Sequence, residues 1–341
     1  MNDTQLKVTA HEMTIDGKGL LAMDESNPTC NKRFAELGIA QTVAMRRAYR
    51  DLIVTAPGLN CSIAAAILSD ETISQKTLAG EPFAQALAKA GIVPGVKVDA
   101  GVTQLADHPD EQVTQGLDGL RERLASYQEQ GARFAKWRAV IRIGAGVPGR
   151  ACIAANAHAL ARYAALCQET GMVPMVEPEV LMEGVHTMTH CATVTERVLH
   201  AVFAQLLEQG VLLEGIVLKP NMVLPGLACS QQEGASVIAE TTLRCLLRTV
   251  PAAVPAIAFL SGGQTPEQAS ERLNAMHTGC ATLPWALTFS FSRAIQQPAL
   301  AMWRGQDANV AAAQRVLVHH ANCNGAARDG RYSAAMEGMN R

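Results

Sequence analysis

Eight short apolar runs recur along the chain, and polar residues follow most of them. Their length and their richness in valine, isoleucine, leucine and alanine are typical of strands buried on both faces, as in parallel sheets. The eight predicted strands are 19–23, 63–68, 93–98, 134–141, 172–176, 215–218, 256–260 and 285–291.

Amphipathic stretches typical of helices occupy the gaps between these runs. The clearest are 116–130, 156–170, 193–209, 235–249 and 266–276. Strand and helix alternate at the spacing of βα units, and no Pro/Gly-rich linker marks a domain boundary. The pattern therefore predicts an α/β protein, a single (β/α)8 TIM barrel over residues 1–341 with a short C-terminal extension at about 325–341.

Polar and charged residues follow seven of the eight predicted strands. Barrels of this class place their chemistry at the carboxyl ends of the strands, so these residues are expected to meet at one mouth. They are Asp24, Glu25, Thr29, Lys32, Arg33, Lys97, Asp99, Lys136, Arg138, Glu177, Glu179, Lys219, Ser261, Gly262, Gly263, Ser290 and Arg293. We expect Glu25 and Asp99 to make structural ion pairs or caps. The whole set predicts a pocket with several cations, two or three carboxylates and a glycine turn.

Lys219 is the candidate nucleophile. It follows the apolar run Ile216-Val-Leu218, and Pro220 then ends the regular ladder because proline has no N–H to donate. An amine at such a strand end has little water around it. Desolvation and a second nearby cation each favour a neutral amine, which can attack a carbonyl and form a Schiff base. The alternative is a lysine whose ammonium group reaches the surface along an apolar stem.

The ratio of lysine to arginine favours the functional interpretation. Only eight of the 29 basic residues are lysines, and only Lys136 and Lys219 come after position 97. Both lie in apolar, strand-like runs. Lysines in a chain that otherwise uses arginine indicate a need for an amine that can lose its proton, which arginine cannot supply.

Two separate groups of cations predict a substrate with an anion at each end. Ser261-Gly-Gly263 offers backbone N–H groups before a helix, and Arg293 on the next strand can grip a phosphate with two hydrogen bonds. Lys32, Arg33, Lys97 and Arg138 belong to strands and loops on the opposite side of the barrel. With Lys219 between the groups, the sequence predicts a bisphosphorylated substrate that carries a carbonyl.

Charge and cysteine content narrow the class of protein. A net charge of −2 gives no reason to expect nucleic acid or an anionic membrane as a partner. The nine cysteines are scattered, and no C-x-x-C pair occurs, so reduced thiols are expected. We find no signal-peptide pattern at the start, and prolines interrupt the longest apolar run, near 250–260. A cytoplasmic protein is expected.

The histidines give no strong indication of a metal site. His186 and His190 have the i, i+4 spacing of helical metal ligands, but no third ligand is evident beside them. His319 and His320 are expected on an exposed helix. We therefore predict no metal and no cofactor.

Seven motifs, in order between about Gly17 and Tyr332, resemble those of class I (Schiff-base) fructose-bisphosphate aldolases. They are Leu20-Leu-Ala-Met-Asp-Glu-Ser26, Gly95-Val-Lys-Val-Asp99, Phe134-Ala-Lys-Trp-Arg138, Val176-Glu-Pro-Glu179, Leu218-Lys-Pro-Asn-Met222, Leu260-Ser-Gly-Gly-Gln264 and Trp285-Ala-Leu-Thr-Phe-Ser290. The resemblance implies a (β/α)8 barrel, usually a homotetramer. It also implies metal-independent cleavage of fructose 1,6-bisphosphate to dihydroxyacetone phosphate and glyceraldehyde 3-phosphate, in glycolysis and gluconeogenesis.

The resemblance also implies a role for each residue that matches a motif. Lys219 would form the Schiff base, with Lys136 tuning it, Glu177 as acid and base, and Asp24 as the acceptor of the C4 hydroxyl proton. Glu179 would support this carboxylate network. The C1 phosphate would be bound by Ser261, Gly262 and Arg293, and the C6 phosphate by Thr29, Lys32, Arg33, Lys97 and Arg138. Ser290 would be a further substrate-binding residue.

Three departures from the family pattern accompany the match. No terminal tyrosine like that of animal members is present, Thr29 replaces a serine, and Phe291-Ser292 replaces a Tyr-Gly pair. Two alternative functions are a Schiff-base aldolase for a smaller or singly phosphorylated sugar, and a non-catalytic sugar-phosphate sensor. The two cation groups disfavour the first alternative. The joint presence of Asp24, Lys136, Glu177 and Lys219 disfavours the second, since binding alone does not need all four.

Overall fold

The computed structural model describes residues 3–15, 17–279 and 282–340. Ten strands form in these ranges: β1 (Gly19–Ala22), β2 (Ile63–Leu68), β3 (Val93–Lys97), β4 (Val102–Gln104), β5 (Gln112–Thr114), β6 (Phe134–Ile141), β7 (Val173–Val180), β8 (Val217–Leu218), β9 (Ala256–Phe259) and β10 (Ala286–Phe291). The α-helices there are α1 (Asp3–Glu12), α2 (Asn27–Glu36), α3 (Val43–Val54), α4 (Asp70–Ile73), α5 (Phe83–Lys89), α6 (Leu120–Glu129), α7 (Arg150–Glu169), α8 (Met188–Glu208), α9 (Ala235–Thr249), α10 (Pro266–Thr278), α11 (Arg293–Trp303) and α12 (Val310–Arg328).

Eight of the strands close into a barrel. Around it the order is β1, β2, β3, β6, β7, β8, β9 and β10, with β10 paired back onto β1. Neighbouring strands are parallel at every pairing. This arrangement confirms the predicted (β/α)8 barrel. Strands β4 and β5 form a separate antiparallel hairpin, which the sequence pattern did not indicate because the side chains of β4 are exposed.

The fifth predicted strand, 172–176, is too short. Strand β7 continues to Val180 and so includes Glu177, Pro178 and Glu179. Its pairing with β6 is continuous, whereas its pairing with β8 is limited to Met175 and Val176. A proline, which has no N–H to donate, is therefore tolerated at position 178, because no strand pairs with that side of β7 there.

The amino-terminal end of the barrel is closed by α1. Leu6 and Ala10 of this helix are fully buried and pack with residues that point into the barrel, such as Phe134 and Met175. A second, larger apolar layer lies between the strands and the surrounding helices. Within the described ranges the amino-terminal end of the barrel is thus filled, which leaves the carboxyl end for a site.

Helix α12 carries His319 and His320, and the prediction that they are exposed is wrong. Their side chains retain only 14% and 13% of their accessible surface. A 3-10 segment at Ala334–Asn340 packs back against α12 and brings the carboxylate of Glu337 to both rings. The exposure prediction failed because helix periodicity does not show that a later segment returns to cover the helix.

Across the described ranges, no helix combines the length and the apolar character needed to cross a bilayer.

Candidate active site

A cavity of about 610 Å³ opens at the carboxyl end of the barrel. The fourteen residues that the sequence predicted as catalytic or substrate-binding all line it. They are Asp24, Thr29, Lys32, Arg33, Lys97, Lys136, Arg138, Glu177, Glu179, Lys219, Ser261, Gly262, Ser290 and Arg293. Its volume lies within the range of small-molecule sites, which is about 300–1,000 Å³.

Lys219 lies deep in this cavity, directly after β8. Its backbone N–H donates to Val176 O at 2.8 Å, so the lysine continues the ladder between β7 and β8. Val217 and Leu218 before it are completely buried, and Lys219 itself is 3% exposed. The backbone therefore fixes the position of the amine against β7, and solvent has little access to it.

Lys219 belongs to a buried quartet of two amines and two carboxylates. Glu177 bridges the amines, with Oε1 at 3.1 Å from Nζ of Lys219 and Oε2 at 3.0 Å from Nζ of Lys136. Lys136 Nζ also lies 2.7 Å from Oδ2 of Asp24. Each of the four residues is at most 7% exposed. Two unit charges of each sign balance within the quartet, which is the condition for burying ions at acceptable cost.

The charges of the quartet shift the pKa values of three of its members. Burial opposes ionisation of Asp24, but the ammonium groups of Lys136 and Lys219 lower its pKa to about 2. The same two lysines lower the pKa of Glu177, again against the effect of burial. Burial favours the neutral amine of Lys136, but Asp24 and Glu177 raise its pKa above the usual value. At neutral pH Lys136 is therefore a fixed cation, and Asp24 is a carboxylate able to accept a proton.

One end of the cavity has the features of an anion site. Gly262 and Gly263 have φ values of +56° and +95°, which only glycine adopts without strain, and they form the turn between β9 and α10. Their amides donate no backbone hydrogen bond within the described ranges. The hydroxyl of Ser290 is buried and, among the same residues, has no partner. Donors that no protein group uses are the kind that a phosphate accepts.

Arg293 lies beside this glycine turn. Its Nη2 is 3.4 Å from the position that a Cβ on Gly263 would take. The side chain is exposed and forms no ion pair with any residue that the structure describes. Its charge is therefore available to a ligand.

Most cations of the opposite group already have carboxylate partners. Lys97 Nζ lies 2.6 Å from Oδ1 of Asp99, and Arg138 pairs with Glu179. Lys32, on α2, is exposed and has no ion-pair partner in the described part of the chain. Among the described residues, Arg293 on one side of the cavity and Lys32 on the other are thus cations without a carboxylate partner. Lys97 and Arg138 would have to share their charge between a ligand and the carboxylates that they already contact.

Arg33 is also paired, through a network that the sequence did not reveal in full. Its guanidinium contacts Glu25, and Arg50 of α3 binds the other oxygen of that carboxylate at 2.9 Å. The expectation of a structural ion pair for Glu25 is confirmed, as is that for Asp99. Ser292, one of the departures from the family pattern, donates to Glu25 at 3.2 Å.

Arg50 was missed because it comes from a helix rather than from a strand end. Arg46 and Arg50 are one turn apart on α3, and both are buried beside Tyr49 and Ile53. Arginines on the apolar face of a helix must meet a carboxylate, since their charge cannot be lost. That signal was available in the sequence, although it does not identify Glu25 as the partner.

Comparisons with known proteins agree on the family. The family model for "Fructose-bisphosphate aldolase class-I" matches residues 5–341. A probable fructose-bisphosphate aldolase class 1 from Xanthomonas campestris pv. campestris is 53% identical over 97% of this chain and 99% of its own length. The cytosolic fructose-bisphosphate aldolase 6 of Arabidopsis thaliana is 50% identical over 93% of this chain and 88% of its own.

A solved structure of fructose-bisphosphate aldolase from Plasmodium falciparum superimposes with a TM-score of 0.95. It is 45% identical, and the match covers 97% of this chain and 96% of that one. At this identity and coverage the likeness extends beyond the fold, and it confirms the resemblance that the seven motifs indicated. The chain belongs to the class I fructose-bisphosphate aldolase family.

Proposed function

We propose that Lys219 is the nucleophile of this aldolase and that it cleaves fructose 1,6-bisphosphate through a Schiff base. The observation that carries the proposal is the buried quartet, in which the amine of Lys219 lies 3.1 Å from a carboxylate that also contacts a second lysine. The ammonium group of Lys219 first gives up one proton, the resulting neutral amine attacks the C2 carbonyl of the substrate, and the carbonyl oxygen receives that proton to become the hydroxyl group of a carbinolamine. Loss of water then leaves a protonated imine.

Glu177 is the proton carrier of this first stage. Its Oε1 contacts Lys219, so the carboxyl group can take a proton from the attacking amine and return it to the departing C2 hydroxyl group. Lys136 remains protonated on the other oxygen. The leaving water therefore carries the proton that Glu177 supplied.

Asp24 takes the proton of the C4 hydroxyl group when the C3–C4 bond breaks. The electron pair of that bond moves into the protonated imine, which becomes an enamine, and C4 leaves as the aldehyde of glyceraldehyde 3-phosphate. Asp24 suits this step because its lowered pKa keeps it ionised at neutral pH. Protonation of C3 and hydrolysis of the imine then release dihydroxyacetone phosphate and restore Lys219.

Glu179 supports this arrangement by holding Arg138. The two residues form an ion pair beside Glu177, which lies on the same face of β7. Ser261, Gly262, Ser290 and Arg293 bind the C1 phosphate. Thr29, Lys32, Arg33, Lys97 and Arg138 bind the C6 phosphate, with Lys32 as the cation that has no carboxylate partner among the described residues.

An assay of triose phosphate release tests the proposal. Wild-type protein should cleave fructose 1,6-bisphosphate equally well with and without EDTA, because the imine is the electron sink that a metal would otherwise provide. Lys219→Met should reduce cleavage to background, whereas Lys76→Met, at an exposed lysine outside the cavity, should retain it. Strong inhibition by EDTA with recovery on adding zinc, or full activity of Lys219→Met, would contradict the proposal.

A homotetramer in the cytoplasm completes the proposal. The family resemblance supports the oligomeric state, and the cytosolic isozyme among the relatives supports the compartment. Sedimentation velocity of the purified protein tests the first point, and a species of one or two chains would contradict it. Cell fractionation with an antibody against the native protein tests the second.

A further inference from the structure

A second cluster of reactive side chains lies outside the cavity, where α12 meets the C-terminal 3-10 segment. His319 and Cys323 are one turn apart on α12, and Glu337 comes from the segment. Ligand atoms of these three side chains lie within 4.8 Å of one another. None of them lines the barrel cavity, and the proposed reaction uses none of them.

The spacing of the ligand atoms matches that around a tetrahedral zinc ion. Bonds of about 2.0–2.3 Å place the ligand atoms of such an ion about 3.3–3.8 Å apart. His319 Nε2 lies 3.7 Å from the sulfur of Cys323 and 3.9 Å from Oε2 of Glu337. A small inward movement would bring all three atoms to bonding distance.

His320 also contacts Glu337, with its Nδ1 at 3.5 Å from the same Oε2. Its ring nitrogens do not lie within 4.8 Å of all three ligand atoms, so the fourth position around a tetrahedral ion is left to water. Imidazole, thiolate and carboxylate are the ligand types found at protein zinc sites. Cys323 is 1% exposed, but both histidines and Glu337 retain 13–14% of their accessible surface, so an ion can reach the cluster from solvent.

The groups around the cluster already orient one of its ligands. Tyr332 donates its hydroxyl to Oε1 of Glu337 at 3.1 Å, which leaves Oε2 directed at the histidines. The backbone N–H of Tyr332 in turn donates to Asn274 of α10 at 2.9 Å. Hydrogen bonds of this kind fix a ligand before the metal arrives and are a regular part of protein metal sites.

We propose that His319, Cys323 and Glu337, with water as the fourth ligand, form a site for Zn²⁺ that ties the C-terminal segment to α12. When the ion binds, the thiol proton of Cys323 passes to solvent and the thiolate bonds to the metal. The site has no part in cleavage, so removing its metal is compatible with an aldolase that EDTA does not inhibit.

Metal binding to the full-length protein tests this site directly. Protein stripped with a chelator and then dialysed should bind one Zn²⁺ per chain, measured by mass spectrometry of the metal. Cys323→Ser, His319→Asn and Glu337→Gln should each weaken binding at least about tenfold, since even second-shell changes cost about 10- to 100-fold. Cys61→Ser is the matched control, because Cys61 is exposed and distant in sequence, and it should bind zinc as the wild type does.

Cobalt substitution gives an independent readout that does not depend on activity. Co²⁺ bound to the wild type and to Cys61→Ser should show a thiolate-to-cobalt charge-transfer band, which Cys323→Ser should lack. Glu337→Gln lies in the terminal segment outside the barrel, so it keeps the test valid if Cys323→Ser fails to fold. Absence of zinc binding, loss of binding in Cys61→Ser, or wild-type affinity in Glu337→Gln would overturn the proposal.

Discussion

The two oxygens of Glu177 each contact a different amine, and this divides the quartet into a reacting side and a fixed side. Lys219 faces Oε1, whereas Lys136 is held by Oε2 and by Asp24. The raised pKa of Lys136 keeps its charge constant during the reaction. Lys136 is the cation that contacts Asp24. Its electrostatic field on Asp24 therefore stays the same while protons move between Glu177 and Lys219.

The pKa of Asp24 should depend on Lys136. In the wild type it is about 2, against an ordinary value of 3.8, so ionisation of Asp24 stabilises the folded protein above pH 3.8. This contribution, roughly 2 kcal/mol, is lost as the pH falls through about 2. Lys136 is the charge that most strongly opposes the effect of burial on Asp24. In Lys136→Met that charge is absent, so the pKa of Asp24 should rise.

Infrared titration of the protonated carboxyl stretch measures this change, with Asp24→Asn to assign the band. The Asp24 band should appear at higher pH in Lys136→Met than in the wild type. An unchanged midpoint would mean that Lys136 does not control Asp24.

The two uncommitted cations allow the two phosphate sites to be tested separately. Arg293→Ala should weaken binding of both fructose 1,6-bisphosphate and dihydroxyacetone phosphate, because both carry the C1 phosphate. Lys32→Ala should weaken binding of the bisphosphate and spare dihydroxyacetone phosphate. Loss of one charge-assisted contact costs about 1.5–3 kcal/mol, or roughly 10- to 150-fold in affinity.

Calorimetric titration of both ligands into both variants, with the amine blocked as Lys219→Met, gives the affinities without turnover. Arg138→Ala is a less clear probe, because it also leaves Glu179 without its partner. Equal losses for both ligands in both variants would refute the assignment of two sites.

At the scale of elements, the apolar runs predicted the barrel strands well, and the polar positions after them predicted the site. All fourteen residues reach one cavity because the parallel strands end at the same mouth and the helices that follow them, such as α2 and α11, begin there. The end of β7 was predicted poorly, since Glu177 and Glu179 are polar residues within a strand. Tertiary partners such as Arg50 could not be assigned, because a sequence pattern gives the face of a helix but not what it meets.

Two glycines show how closely the barrel strands pack. A Cβ on Gly95 of β3 would lie 2.3 Å from the ring of Phe134 on β6, and the two residues are direct neighbours in the sheet. Gly95→Ala should therefore lower the free energy of unfolding by about 1–3 kcal/mol through overpacking. A Cβ on Gly19 of β1 would likewise lie 2.5 Å from the ring of Phe289 on β10.

Urea denaturation of a double-mutant cycle checks that the Phe134 ring is the cause. Gly95→Ala combined with Phe134→Leu should be less destabilising than the sum of the two single changes, because the smaller side chain makes room for the added methyl group. Strict additivity would place the strain elsewhere.

At the scale of the whole molecule, the two ends of the barrel differ: one is packed with side chains and the other holds the cavity. In the part of the chain that the structure describes, helix α1 closes the amino-terminal end, and the cavity opens at the other end, where the charged strand ends meet. A net charge of −2 over the chain shows that the cations of the cavity are a local arrangement rather than a property of the surface. The sequence could predict this opening from strand direction, but not the closure of the other end by the first helix.

Borohydride reduction in the presence of dihydroxyacetone phosphate tests the central claim most directly. It converts the imine between enzyme and ligand into a stable amine, which peptide mapping by mass spectrometry can locate. The quartet predicts one adduct per chain, on Lys219, and none in Lys219→Met. An adduct on Lys136, or no adduct in a protein that still cleaves fructose 1,6-bisphosphate, would contradict the account.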